Sequence, residues 1–195
     1  EVVFRVEVDA ASLELVEVEE GGRSYTRVNL PGWANAYKVG LPAVPVQVEQ
    51  VGVPFGAEVQ VEVQSGEGIR VGLSAPVLPG VKQVADWGEP VEDESGLWLP
   101  EMVEVYEEDA GVYGGGGVYP GELAEVSGDG VVRQQRVVGV SVYPVQYDVG
   151  TQELVVYESL TVTVRFSGGE QVSALGVVEE SAVYEELLSG QLLNY

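Results

Sequence analysis

The sequence predicts an all-β fold, and three features of the chain support this class. Hydrophobic residues make up 45% of the 195 residues, and valine dominates them. Such β-branched side chains suit a pleated, half-buried strand better than a helix. Short stretches alternate apolar and polar residues, as in 2–8 and 59–63, which is the period of a strand with one buried face. The 26 Gly and 10 Pro provide turns. We therefore expect an antiparallel β-sandwich or barrel-like domain with a long acidic middle loop and a short C-terminal helix.

The pattern of strands and turns organises residues 1–195 as a single domain. Residues 1–75 contain a first strand set, including a hairpin of 13–18 and 25–28, and we expect these strands to pair among themselves. Residues 131–168 contain the C-terminal strands. Residues 177–195 have helical spacing with Ser181 as a possible N-cap, which predicts a short helix where a following domain would begin.

Residues 76–130 differ from both flanks. Prolines and a run of four glycines interrupt this stretch, and few of its segments alternate. Between Gly80 and Gly117 there are ten acidic residues and one basic residue, Lys82. Loops of this length are commonly functional or disordered. The sequence thus predicts a long acidic loop region that forms the variable surface of the protein.

The charge balance limits the classes of partner. Nine Lys and Arg stand against 32 Asp and Glu, for a formal net charge of −23. A field of that sign repels phosphate backbones and anionic lipid, so we expect neither nucleic acid nor a membrane surface as partner. The acidity also fits solubility or adaptation to salt or heat. The alternative interpretation is a protein partner with a basic face.

The amino-acid composition argues against an enzyme, because two common catalytic residue types are missing. The chain has no Cys and no His, which removes thiolate nucleophiles, imidazole bases and the usual zinc ligands. A catalytic carboxylate pair stays open as a weak alternative, because 32 acids offer many chance pairings. We expect no cofactor; calcium is the one candidate, through the clusters Glu92-Asp93-Glu94 and Glu107-Glu108-Asp109.

Two tryptophans fall in the acidic region. Trp87 and Trp98 are expected to be exposed there, whereas Trp33 follows Pro31-Gly32 and is expected to anchor a loop or the core. Exposed aromatic side chains suit a protein interface or a platform for sugars.

The chain starts on a strand pattern without an initiator Met or an apolar leader. This start favours a fragment of a secreted protein whose signal peptide is not included.

An ordered set of local patterns resembles one known family. The patterns follow each other as GLPAVPV at 40–46, VPFGA at 53–57, VYPGE at 118–122, RVVGV at 136–140, VYPVQYD at 142–148, GTQELVVY at 150–157 and LTVTV at 160–164. In this order they resemble the N-terminal propeptide of gingipain-type cysteine peptidases, which are secreted enzymes with a caspase fold. The segment 183–195 is similar to the end of such a propeptide, close to the catalytic domain.

The resemblance implies an inhibitory propeptide. Its partner would be the catalytic domain of its own cysteine peptidase, kept latent during export by occlusion of the active-site cleft and assisted in folding. In relatives a middle loop presents a basic side chain to the specificity pocket, so Lys82 is the expected pocket residue, with Trp87 and Trp98 as further anchors of the inhibitory loop. The chain departs from the family pattern because no Arg occurs between Arg70 and Arg133. If Lys82 does not enter the pocket, the acidic loop would inhibit by filling the active-site cleft with its bulk.

A second interpretation needs no peptidase. An acidic β-sandwich without catalytic chemistry is also typical of adhesion modules on cell surfaces that bind calcium or carbohydrate. Calcium-dependent stabilisation or retention on polysaccharide would favour that function.

Overall fold

The fold is all-β, as predicted from the sequence. A computed structural model describes residues 1–36, 38–86, 88, 100–132, 135–169 and 188–194. In these residues every ladder between named strands is antiparallel. No helix of the described ranges has the length and apolar character needed to cross a lipid bilayer.

The described residues contain fifteen strands, the short α-helix α1 and a helical segment at 188–191, besides a 3-10 turn at Ala10–Ser12. The elements are β1 Val2–Glu7, β2 Glu14–Glu20, β3 Arg23–Asn29, β4 Ala34–Asn35, β5 Pro45–Val53, β6 Glu58–Ser65, β7 Gly68–Gly72, β8 Lys82–Asp86, β9 Glu101–Val105, α1 Ala110–Tyr113, β10 Val118–Tyr119, β11 Ala124–Val132, β12 Gln135–Val142, β13 Val145–Asp148, β14 Glu153–Tyr157 and β15 Ser159–Ser167.

The strands combine into three larger sheets and two hairpins. The sheets have the orders β1-β15-β6, β10-β13-β14-β7 and β11-β12-β5-β4, and the hairpins are β2-β3 and β8-β9. The expectation that strands of 1–75 pair among themselves is wrong for most of them, because β1 and β6 flank β15, β5 pairs with β12, and β7 pairs with β14. The alternation of apolar and polar residues identifies which face of a strand is buried, but it does not identify the strand that pairs with it.

Residues 76–130 also differ from one uninterrupted loop. They contain β8, β9, α1, β10 and β11. The pair β8-β9 escapes detection by alternation because it has no buried face: none of its ten residues is buried. The acidic stretch at 89–99 lies outside the described residues.

Valine side chains fill the core that the sheets enclose. On β12 and β15 the inward positions Val138, Val140, Val162 and Val164 are fully buried, as is Leu160. Burying such a side chain contributes about 1.5–3 kcal/mol. The unusual share of valine therefore reflects several short strands that each have one face on a common core.

Two of the sequence patterns meet at Arg136. Its Nη1 donates hydrogen bonds to the carbonyl oxygens of Ala57, at 2.7 Å, and Pro54, at 3.3 Å. Its Nε and Nη2 pair with both carboxylate oxygens of Asp129, at 3.0 and 2.6 Å. The guanidinium holds the turn at 54–57 against β12, and the side chain of Asp129 orients it.

A second joint lies where the chain passes from one sheet to another. Pro144 stands between β12 and β13, in agreement with the expected interruption of a strand by proline. Next to it the buried Gln146 donates from Nε2 to the carbonyl oxygen of Pro120, at 2.8 Å. Tyr157 Oη donates to Gln146 Oε1 at 3.2 Å. These bonds satisfy a buried amide and join β13 to the segment after β10 and to β14.

The end of the chain packs on the sheet β11-β12-β5-β4. Leu188 and Leu192 form a small cluster with Val137. Asn194 pairs with Gly52 as a peptide group would: its Oδ1 accepts from the Gly52 amide, and its Nδ2 donates to the Gly52 carbonyl, both at 2.8 Å. Residues 188–191 are helical. The helix predicted over 177–195 is wrong for residues 192–194, which form a bridge to β5 and a turn. Residues 177–187, with Ser181, lie outside the described residues.

The hairpin β8-β9 is attached to this body through a close backbone contact. Gly80 N–H donates to the Leu41 carbonyl at 2.8 Å, and Gly40 N–H donates to the Gly80 carbonyl at 3.0 Å. A Cβ on Gly80 would lie 2.9 Å from the Lys38 carbonyl carbon and closer still to its oxygen. Only glycine leaves room for this approach.

Gly80→Ala is expected to destabilise the protein by about 1–3 kcal/mol, because the added methyl group must displace backbone. Gly72→Ala is the matched control, since a Cβ there has nothing within 4 Å, and we expect it to leave stability unchanged or slightly raised. Chemical denaturation of both variants measures the difference. Equal free energies of unfolding for the two would contradict the proposed role of Gly80.

Candidate functional site

The hairpin β8-β9 is the part of the described structure that is least integrated into the core; we call it the acidic ribbon. Its register pairs Lys82 with Val105 and Asp86 with Glu101. Its side chains are exposed or half-buried on both faces, and Met102 is 56% exposed. A two-stranded hairpin without a covered face has marginal stability in water. The acidic ribbon therefore needs support at its base and offers both faces to a partner.

The three acids after β9 supply part of that support. Glu108 Oε2 pairs with Arg23 Nη1 at 2.7 Å, and the Glu108 side chain is only 18% exposed. Asp109 accepts from the amides of Gly111 and Val112 as the N-cap of α1, and its own amide donates to the Gly40 carbonyl. These contacts fix the segment that follows the second strand of the acidic ribbon, and the Asp109 amide ends on Gly40, whose own amide binds Gly80.

Tyrosines surround the Arg23–Glu108 pair. Burial raises the pKa of Tyr25, and the Glu108 charge raises it further. Burial also raises the pKa of Tyr113, whose Oη donates to the Val77 carbonyl at 2.7 Å. These phenols therefore stay protonated at neutral pH. Two buried atoms of this region, Glu108 Oε1 and Tyr147 Oη, have no hydrogen-bond partner in the described structure, so the pair is anchored at some cost in desolvation.

A polar cleft lies beside the base of the acidic ribbon; we call it the Arg27 cleft. Its volume is about 390 Å³, and its lining includes Arg27, Asn29, Asn35, Glu104 and Tyr106, together with Ala43 and residues 78–81. Tyr106 Oη donates to Glu104 Oε2 at 2.9 Å. Burial, and then this hydrogen bond, raise the pKa of Tyr106, so it remains a donor. The cleft thus combines a guanidinium, two amides and a phenol.

The structure places one of the three predicted site residues. Lys82 is the first residue of β8 rather than a loop residue; its side chain is 52% exposed, and Nζ lies 3.9 Å from Glu107 Oε2. It is accessible at the base of the acidic ribbon, and its entry into a partner's pocket stays a prediction. Trp87 and Trp98 lie outside the described residues.

The calcium prediction is also untested. In the described cluster each carboxylate already has a protein partner: Glu107 contacts Lys82, Glu108 pairs with Arg23, and Asp109 caps α1. Within the described ranges no group of three or more acidic side chains is arranged to hold a metal ion. The cluster Glu92-Asp93-Glu94 lies outside them.

Sequence reasoning missed the Arg27 cleft. Arg27 and Asn29 sit in a strand that the alternation assigns to the hairpin 13–28, and their spacing carries no motif. Arg27 and Asn29 are two residues apart in β3, so their side chains point to the same face of the strand. Asn35 and Tyr106 come from other segments, and only the folded structure brings them to the same cleft.

Comparison with known proteins identifies relatives. The family Propeptide_C25 matches residues 1–195. Lys-gingipain of Porphyromonas gingivalis is 28% identical over 187 residues, which is 93% of this chain and 10% of the relative. The HG66 form of Lys-gingipain is 28% identical over 190 residues. The chain thus spans about a tenth of the length of these curated relatives.

Two solved structures share the fold. One is the complex of the Porphyromonas gingivalis RgpB pro- and mature domains, with a TM-score of 0.70 and 19% identity, covering 99% of this chain and 90% of that chain. The other comes from work on the zymogenic latency of gingipain K of the same organism, with a TM-score of 0.59 and 24% identity, covering 86% of this chain and 100% of that chain. The match over the full length settles the family: the chain is a propeptide domain, not a catalytic domain, and belongs to Propeptide_C25, the propeptides of gingipain-type cysteine peptidases.

Proposed function

We propose that this chain keeps the catalytic domain of its own precursor, a gingipain-type cysteine peptidase, latent. The acidic ribbon lies across the active-site cleft and blocks access of substrate, while the β-sandwich supplies the rigid support and assists folding of the catalytic domain. The protein acts outside the cell, where secreted peptidases of this type are released. Its partner is a protein surface, and the chain carries out no reaction itself.

The observation that carries this proposal is that no residue of the acidic ribbon is fully buried on either face. Val84, Val103 and Val105 are half-buried and Met102 is exposed, although apolar side chains of a strand normally pack on a core. A cleft in a partner would cover them and stabilise the ribbon in return. The described part of the ribbon has three acids, Asp86, Glu101 and Glu104, against Lys82. This charge favours a partner cleft with a basic rim.

The relatives support the same function. The RgpB prodomain has been solved in complex with its mature domain, and the gingipain K structure concerns zymogenic latency. Both share the fold of this chain. A propeptide that shares this fold and carries an accessible ribbon is suited to the same task.

Inhibition by the isolated chain is the first expected result. Added to the catalytic domain of its own precursor, the chain should abolish peptide hydrolysis at about one molar equivalent, because occlusion needs one propeptide per active site. Steady-state hydrolysis of a small peptide substrate measures this, and gel filtration with an active-site Cys→Ala peptidase shows the complex. A β protein of similar net charge serves as control. Full activity without a complex would exclude the proposal.

Lys82→Ala tests the predicted pocket residue. If Lys82 Nζ leaves Glu107 and pairs with a carboxylate inside the specificity pocket, its removal should weaken inhibition by about 1–3 kcal/mol, roughly 5- to 150-fold in the inhibition constant. Arg5→Ala is the matched control, since Arg5 is also exposed and also pairs with a neighbouring acid, Glu7, at 3.7 Å.

An unchanged inhibition constant for Lys82→Ala would exclude the pocket role of this residue. The inhibitory function would remain, carried by the rest of the acidic ribbon. Equal losses for Lys82→Ala and Arg5→Ala would indicate a general effect of charge and would also count against a specific anchor.

A further inference from the structure

We propose that the Arg27 cleft is a second contact site for the peptidase and binds one of its Asp or Glu side chains. The inference rests on the proposed function, since it takes the partner to be the domain that the acidic ribbon occludes. It adds a point of recognition that lies at the base of the ribbon and that has the opposite charge preference.

The first observation is that Arg27 has no acidic partner. Among the described residues, every other Lys and Arg side chain lies within 4.0 Å of a carboxylate, whether Arg5, Arg23, Lys38, Arg70, Lys82, Arg136 or Arg165. The chain has 32 acids and a net charge of −23. In such a field a half-buried guanidinium without a partner is the exception, and its five N–H donors are open to a ligand.

The second observation is the set of donors around Arg27. The side-chain amides of Asn29 and Asn35 line the same cleft, and neither amide forms a hydrogen bond within the described structure. Glu104, the acid of the cleft, already accepts from Gln83 Nε2 at 3.1 Å and from Tyr106 Oη at 2.9 Å. The cleft therefore has a surplus of donors, which matches a carboxylate as acceptor.

The charge and the volume of the cleft limit the kind of anion that it can bind. Arg27 and Glu104 together make the cleft close to neutral. A phosphate or a polyanion would leave it with two or more negative charges, so a single carboxylate that accepts from the Arg27 guanidinium is the anion that suits it. The volume of about 390 Å³ accepts an acidic side chain with part of its backbone. A free metabolite would not use the neighbouring ribbon, whereas a protein partner contacts both surfaces together.

The location connects the cleft to the acidic ribbon. Glu104 belongs to β9 and Tyr106 follows it directly, while residues 78–81 lead into β8. A domain that covers the ribbon therefore lies next to the cleft. A salt bridge at this point would orient the partner around the base of the ribbon.

Arg27→Ala is the direct test, with inhibition of the catalytic domain as the measurement. The inhibition constant is expected to rise about tenfold, because a partly buried charge pair loses one member. The loss should shrink as salt is added. Arg5→Ala is the control and should inhibit as the unmodified chain does. Arg27→Gln, which keeps part of the stem, replaces Arg27→Ala if thermal unfolding shows that the alanine variant does not fold.

The outcomes separate the two proposals. If the unmodified chain inhibits and Arg27→Ala inhibits equally well, the cleft is not a contact site, but the inhibitory function stands. If both Arg27→Ala and Arg5→Ala weaken inhibition by the same factor, long-range charge explains the effect and the cleft proposal fails. If the unmodified chain neither binds nor inhibits the catalytic domain, both proposals are overturned.

A double-mutant cycle identifies the carboxylate. Each Asp or Glu near the active-site cleft of the peptidase is changed to Asn or Gln and assayed with the unmodified chain and with Arg27→Ala. For the true partner, the single changes weaken binding by similar factors, and combining them adds little further loss. Strictly multiplicative effects for every acid tested would overturn the assignment of a carboxylate ligand.

Discussion

The close backbone contact at Gly80 is the constraint on which the presentation of the acidic ribbon depends. A two-stranded hairpin that buries none of its residues has little stability of its own, so its direction must be set where it joins the body. Gly80 meets Lys38 and Leu41 ahead of the first ribbon strand, and the Arg23–Glu108 pair holds the segment after the second. The fixed base and the open faces together give a surface that is oriented but still available to a partner.

The body shows what the sequence patterns without catalytic residues do in the fold. Arg136 binds the carbonyl groups of the turn at 54–57, and Gln146 binds the carbonyl group of Pro120. Each bond joins two patterns that are distant in sequence and satisfies a polar group away from bulk water. The patterns therefore define the scaffold, and we propose that recognition is left to the acidic ribbon and to the Arg27 cleft.

The all-β class and most strands of the scaffold could be predicted because one face of each strand is apolar, as on β1, β6 and β15. The pairing of the strands could not be predicted, because alternation within β5 or β7 does not show that β5 pairs with β12 or that β7 pairs with β14. The ribbon strands were missed because Lys82, Asp86 and Glu101 share a face with Val84, Val103 and Val105, so that no continuous apolar face is left. The lack of an acidic partner for Arg27 could not be predicted for another reason. Whether a charged side chain is paired depends on segments that are distant in sequence and surround it only in the fold. Lys82 was located, and Trp87 and Trp98 remain predictions from the sequence.

Removal of the acidic ribbon from an intact scaffold separates occlusion of the active-site cleft from the stability of the fold. Replacing residues 84–103 by Asn-Gly joins Gln83 to Glu104, which already face each other, through a turn suited to a tight hairpin, and it keeps the Glu104 side chain in the Arg27 cleft. No residue of the ribbon belongs to the described core. The account predicts a free energy of unfolding close to that of the unmodified chain, with inhibition of the catalytic domain reduced at least tenfold. Undiminished inhibition by the shortened chain would contradict it.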